Sequence, residues 1–112
     1  MPNPESHLLN EIRLALGRER DLVLWRNSGG VADRNGRKVR FGLVVGASDL
    51  IGLLSPSGRW VALEVKTETG RPTAEQLQFL DVVRSRGGFA CIVRSVTEAA
   101  AAIDRARAGA CQ

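Results

Sequence analysis

The stretch from Trp60 to Val93 restricts this chain to few folds. Trp60-Val61-Ala62-Leu63-Glu64-Val65-Lys66 alternates: Val61, Leu63 and Val65 face one way, and Trp60, Ala62, Glu64 and Lys66 the other. That period of two predicts a strand. A loop from Thr67 to Pro72 follows, then a helix that starts at Thr73, runs to about Arg86 and ends at Gly87-Gly88. Phe89 to Val93 is apolar throughout and is expected as a central strand. Strand, long helix, strand is a βαβ unit, so Trp60–Lys66 and Phe89–Val93 are predicted to be parallel neighbours.

The remaining elements arrange themselves around that unit. Residues 4 to 17 read as a helix, with Asn3 as cap, Pro4 in the first turn and Gly17 at the end. Leu8, Ile12, Ala15 and Leu16 give it an apolar face. Leu22 to Arg26 reads as a strand, and the polar stretch from Asn27 to Arg40 carries Asn35-Gly36, a hairpin turn. Phe41–Val45 and Asp49–Leu54 are expected as two short strands around the bend Gly46-Ala47-Ser48, with Ser55–Gly58 as the next turn. Ser95 caps a last helix, with Glu98 completing a capping box, and that helix ends near Gly109. The order is α, β-meander, α, β, α. It predicts a single α/β domain over residues 1–112, a central mixed β-sheet flanked by α-helices.

Composition removes several classes. With 112 residues, 44% hydrophobic and 25% charged, the chain has the balance of an ordinary globular domain. Aromatics are only 4%, so aliphatic side chains fill the core, with Trp25 and Trp60 read as part of it. No apolar run reaches the ~20 residues that cross a bilayer, and MPNPESHLLN is not a secretory leader. A cytoplasmic location, without membrane partners, is the expectation. Cys91 in an apolar run and Cys111 in the tail make neither a zinc site nor a disulfide framework. The net charge of +4 is compatible with a nucleic-acid partner.

The chemistry concentrates at one end of the predicted sheet. Glu64 and Lys66 share a face at the carboxyl end of their strand, and Asp49 opens the strand expected to pair with it. Two carboxylates converging from adjacent strands offer hard oxygen ligands to Mg²⁺ or Mn²⁺. Such an ion lowers the pKa of a bound water and neutralises charge building on a phosphodiester. A lysine beside them stabilises that charge and relieves the repulsion between the carboxylates. Gln76 lies on the Gln76–Phe79–Leu80–Val83 stripe of the following helix, within reach of the same end. Glu11, bordering the apolar face of the first helix, is a candidate extra carboxylate.

GASDLIGL, then WVALEVKTETGRPTAEQLQFL, then GGFACIVRS resembles the VRR-NUC family, the virus-type replication-repair nucleases of the PD-(D/E)xK superfamily. The resemblance runs from about Glu11 to Val96. It implies a restriction-endonuclease-like core, a metal held by Asp49 and Glu64 with the Val65 carbonyl as a backbone ligand, catalytic or positioning roles for Lys66 and Gln76, and a site role for Glu11. Ser48 stands before Asp49 where the superfamily name has proline, a position at which VRR-NUC members vary. Stand-alone phage or bacterial members of about this size resemble dimeric, structure-specific enzymes that cut branched DNA such as four-way (Holliday) junctions. The resemblance thus implies an Mg²⁺- or Mn²⁺-dependent deoxyribonuclease of DNA repair, acting as a homodimer in a bacterial cell or phage-infected host. The alternatives are a non-catalytic nucleic-acid-binding module of the same fold, or a nuclease of flaps or linear DNA.

Each residue also has a plainer reading. Asp49 alone could be a surface charge, and Glu64 with Lys66 a structural ion pair. Thr73-Ala74-Glu75-Gln76 fits a capping box, which would occupy Gln76 at the helix start. Glu11 could simply be solvated, and His7, one turn earlier, is expected to be exposed. Arg34, Arg37, Lys38 and Arg40 on the 31–41 hairpin, with Arg71 in the loop after Lys66, are candidates for gripping phosphate or for solvated tips.

Overall fold

The computed structural model describes residues 3–112. Their order is α1 (Pro4–Leu16), β1 (Leu22–Arg26), β2 (Gly30–Arg34), β3 (Arg37–Phe41), β4 (Leu50–Leu54), β5 (Arg59–Val65), α2 (Ala74–Ser85), β6 (Phe89–Val93) and α3 (Val96–Arg107). A four-stranded mixed sheet runs β1-β4-β5-β6, and β2 and β3 form a separate two-stranded ribbon. β1, β4 and β5 pair antiparallel through short connections, and β5 and β6 pair parallel across α2, as the βαβ reading requires.

Alternation assigns the two faces. Val61, Leu63 and Val65 of β5 join Phe89, Cys91 and Val93 of β6 in the main core, against α1 and α3. Ala62 and Ala90 point to the other side and pack under Leu80 of α2, with Phe79, Val83 and Ile92 at the edge. β5 is therefore covered on both faces from Val61 to Val65. The helix starts follow their caps. Asn3 Oδ1 accepts the Glu5 N–H at 2.8 Å, Thr73 and Gln76 form a reciprocal capping box, and Ser95 Oγ accepts the Glu98 N–H at 3.0 Å. Glu98 itself reaches the N–H of Arg94 rather than that of its cap residue.

Three expectations change. Phe41–Val45 is not a strand: the ribbon ends at Phe41, because Gly42 takes φ +87° and a Cβ there would meet the Gly29 backbone at 2.6 Å. Its pairing with β2, around Asn35 and Gly36 in left-handed conformation, lifts β3 out of the sheet, so β1 meets β4 directly instead of through a meander. On α1 the inward residues are Leu9, Ile12 and Leu16, rotating the buried stripe away from Ala15. Trp25 and Trp60, read as core, are half exposed, because the face they share is covered only on its β5–β6 side.

The direct pairing of β1 and β4 depends on Gly52. A Cβ there would lie 2.2 Å from the Val23 carbonyl oxygen, a backbone atom with nowhere to move. Gly52→Ala is expected to destabilise the fold by about 2 kcal/mol or more in chemical denaturation, a core-clash cost rather than a propensity cost.

Candidate active site

Sheet register brings the carboxylates together. Leu50 pairs with Leu63, so one step further along both strands Asp49 stands across from Glu64. Asp49 precedes β4 and Lys66 follows β5, which puts both at the strand ends where backbone partners run out. The local bonding closes those ends. Asp49 Oδ2 accepts the Val65 N–H at 2.9 Å, and the Lys66 N–H donates to the Val93 carbonyl at 3.1 Å. Asn27, just after β1, completes the frame: its N–H donates to the Asp49 carbonyl at 2.8 Å and its Nδ2 to the Ser48 carbonyl at 3.2 Å.

Glu64 is 1% exposed and Lys66 8%. Lys66 Nζ lies 3.8 Å from Glu64 Oε1, while Glu64 Oε2 is buried without a hydrogen-bond partner among the described residues. Ser48 Oγ, next to Asp49 in the chain, is a second such atom. Burial first, then the negative charge of Asp49, raises the Glu64 carboxyl from its ordinary 4.5 to about 8. The Lys66 ammonium opposes the rise, and Glu5 of α1 adds to it. Lys66 compensates this buried carboxyl only in part, since the orphaned oxygen costs a desolvation penalty until something binds it.

The donor set suits a hard divalent ion: two carboxylates from adjacent strands, one with a free buried oxygen, and a lysine to moderate their repulsion. Among the described residues no three His, Cys, Asp or Glu side chains cluster closely enough to enclose an ion by themselves. The coordination sphere of a metal bound there would need backbone oxygen and water as well, which is ordinary for Mg²⁺.

The other predicted residues divide. Gln76 is half-buried at the third position of α2, and its Oε1 accepts the Thr73 N–H at 2.8 Å, so the capping role is real. Glu11 is exposed and pairs with His7 at 2.7 Å, so the structure does not bring it to Glu64. The α1 carboxylate that does approach is Glu5. It lines one wall of a cleft of about 270 Å³ with Arg26, Asn27 and Asp49. Sequence reasoning missed it, although the signal was there. Glu5, Leu9, Ile12 and Leu16 follow the i, i+4, i+7, i+11 spacing of one helix face, and the last three are the buried ones.

A second cleft, of about 290 Å³, also contains Asp49 and Asn27, and Arg40 of the ribbon lines it. The basic hairpin cluster is therefore split. In the ribbon register Val31 pairs with Arg40 and Asp33 with Lys38, on one face, while Arg34 and Arg37 pair on the opposite face. Arg71 is exposed in the loop after Lys66, and Arg94 braces that loop by donating to the Thr67 carbonyl at 2.7 Å and the Gly70 carbonyl at 2.6 Å. Cys91 is buried, which pushes its thiol pKa up and leaves it inert; Cys111 is a free, exposed thiol.

Comparison with known proteins supplies the family. The sequence model of the VRR-NUC domain matches residues 30–97, which include β2 through β6 and Asp49, Glu64, Lys66 and Gln76. The chain belongs to the VRR-NUC family. It is thus a nuclease domain of the PD-(D/E)xK superfamily. A solved structure described as a VRR_NUC domain superposes on 92% of this chain and 97% of its own, with a TM-score of 0.59 and 24% identity, a likeness of fold. No curated protein matches the chain. Among the described residues no helix is long and apolar enough to cross a membrane.

The raised pKa makes a stability prediction for metal-free protein. Between 4.5 and about 8 the folded VRR-NUC chain holds a proton that the unfolded chain has released, so stability falls as pH rises through that window. Glu64→Gln, which removes the charge, is expected to raise the unfolding free energy by a few kcal/mol at pH 8.5 in EDTA. The gain should shrink towards pH 5, as read by chemical denaturation at both values.

Proposed function

We propose that this protein is a divalent-metal-dependent endonuclease that hydrolyses DNA phosphodiester bonds, structure-specific for branched DNA such as four-way junctions. The observation that carries the reading is the Glu64 carboxyl, buried with one oxygen unpartnered among the described residues, between Lys66 and Asp49, of which Asp49 lines an open cleft. A purely structural ion pair would have both oxygens satisfied, because a half-satisfied buried charge destabilises the fold.

Asp49 and Glu64, with the Val65 carbonyl, are the residues that would hold Mg²⁺ or Mn²⁺, and Glu5, which lines the cleft beside Asp49 in the place expected of Glu11, would support the site through its bound water. Such an ion supplies a water of lowered pKa and neutralises charge on the phosphoryl group. Lys66 contributes a buried ammonium, 3.8 Å from Glu64, that stabilises negative charge on the non-bridging oxygens as it develops with little reorganisation. Gln76, with Oε1 used by the cap, presents its amide group from the start of α2 to orient the attacking water. Asn27 keeps Asp49 in line by holding the two carbonyls before β4.

Arg40 and Lys38, on the ribbon face that reaches the cleft, grip phosphates flanking the cut. Arg34 and Arg37, on the opposite face, act as a more distant electrostatic guide, and Arg71 meets the strand from the other side. A junction presents two strands of related geometry, so a symmetric homodimer, each copy cutting one, fits the substrate.

The test is a cleavage assay on four-way-junction, flap, single-stranded and linear duplex DNA, in Mg²⁺, in Mn²⁺ and in EDTA. Cutting is expected with either metal and not in EDTA, fastest on the junction. Asp49→Ala and Lys66→Ala, both remaining folded, should lose about 100-fold or more. Glu5→Gln should lose about 10-fold or more, as removal of a carboxylate supporting a metal site does, while Glu11→Gln stays close to wild type. Junction binding without cleavage in either metal would favour the non-catalytic module, and equal rates on all substrates would remove the structure specificity.

A further inference from the structure

Residues 42–46 form a loop that is held at both ends and apolar in the middle. Gly42, at φ +87°, lies so close to the segment after β1 that a Cβ would meet the Gly29 Cα at 2.6 Å. Gly46, at φ +89°, is pressed against the start of α2, where a Cβ would meet the Glu75 backbone at 2.5 Å. The Ala47 N–H closes the turn by donating to the Val44 carbonyl at 3.1 Å. Between the two glycines Leu43, Val44 and Val45 are 45%, 67% and 57% exposed. Single exposed aliphatic residues are ordinary, but a contiguous run on a held loop marks a contact surface.

What lies beside the loop identifies the occupant. Leu43, Val44 and Val45 line the cleft of about 290 Å³ that also contains Asp49 and Arg40, and exposed Val31 of β2 adds to its apolar wall. The cleft thus joins an aliphatic surface to the groups that meet a phosphate here, a metal-site carboxylate and a cation. A nucleotide has the matching halves, an anionic phosphate and a base with a flat, apolar face. We propose that this loop receives the base of a nucleotide beside the scissile phosphate, and that the base must be unstacked to reach it.

The inference rests on the nuclease function proposed above and names what that nuclease recognises in branched DNA. Within an intact duplex each base is covered on both faces by its neighbours, so none is free for the loop. Unstacking costs least where a base is already unpaired, as at a branch point or a strand end. Apolar side chains that insert between base steps exploit the same difference. The size of the cleft agrees: about 290 Å³ is the lower end of the roughly 300–1,000 Å³ of small-molecule sites, the scale of one nucleoside. Aliphatic side chains offer no hydrogen bond to a base edge, so the loop selects shape and not sequence.

Binding in EDTA, where no cutting is expected, tests the contact apart from the chemistry. The probe is a four-way junction carrying 2-aminopurine, whose emission is quenched by stacking, at each branch-point nucleotide in turn. Saturating wild-type protein is expected to raise the emission at one or more of these positions and at none inside the duplex arms. An abasic nucleotide at a responding position should weaken wild-type binding about 10-fold, the scale of one base contact. In the Leu43→Ser, Val44→Ser double variant, with native circular dichroism, the emission should stay quenched and the abasic nucleotide should cost nothing further. Val44→Phe should tighten binding, because a ring offers the base a larger face, and Leu14→Ser, on the exposed side of α1, should match wild type. A junction that is not bound, or is bound with every branch-point probe still quenched, overturns the contact. So do additive losses from the double variant and the abasic nucleotide. A raised emission without cleavage in Mg²⁺ or Mn²⁺ overturns the proposed function and leaves the base contact standing; cleavage without a raised emission does the reverse.

Discussion

A carboxylate inside a β-sheet is the constraint around which this structure is organised. Glu64 occupies a strand covered on both faces, where an ionised side chain is costly unless a cation or hydrogen-bond donors meet it. The protein answers with only part of what is needed. Lys66 stands 3.8 Å from one oxygen, and the other has no partner among the described residues. Burial, with Asp49 adding to the negative charge instead of relieving it, raises the Glu64 pKa to about 8. A fold selected for stability alone would replace this arrangement with a well-packed apolar residue. Its place next to Asp49, which lines an open cleft, is the physical signature of a site for a charged ligand.

The surroundings of the pair are correspondingly rigid. Asp49, Glu64 and Lys66 lie at or just beyond strand ends, and those ends are tied by bonds from different parts of the chain. Val65 N–H holds the Asp49 carboxylate, Asn27 holds the backbone before it, and the Val93 carbonyl holds Lys66. One residue after Val93, Arg94 braces the loop that carries Arg71. The flexible Lys and Asp side chains therefore project from a framework fixed by main-chain hydrogen bonds, which is how a small domain achieves preorganisation without a large core.

Much of this was legible in the sequence because it depends on short-range periodicity. The alternation in residues 60–66 placed Glu64 and Lys66 on one face, and the apolar run at 89–93 between helices required a parallel neighbour; both follow from a two-residue repeat and the geometry of a crossover. Caps at Asn3, Thr73 and Ser95 were readable for the same reason, each being settled within four residues. The misreadings share a different cause. Trp25 and Trp60 look like core from their chemistry, but exposure depends on how far α2 extends over the sheet. Phe41–Val45 looks like a strand from composition, but whether it pairs depends on where the ribbon folds back at Gly42. Glu11 and Glu5 both lie near an apolar stripe, and only the rotation of α1 against the sheet distinguishes them.

By itself, then, the sequence determined the βαβ unit, the shared face of Glu64 and Lys66, and the family motif that joins them to Asp49 and Gln76, since these follow from spacing along one strand or helix. The tertiary structure alone decided that Asp49 stands opposite Glu64, that Glu5 rather than Glu11 approaches them, that Arg40 and Lys38 part company with Arg34 and Arg37, and that half of one sheet face stays bare. Register, helix rotation and coverage are relations between segments far apart in the chain, and they are set by the packing of many side chains at once rather than by any local repeat.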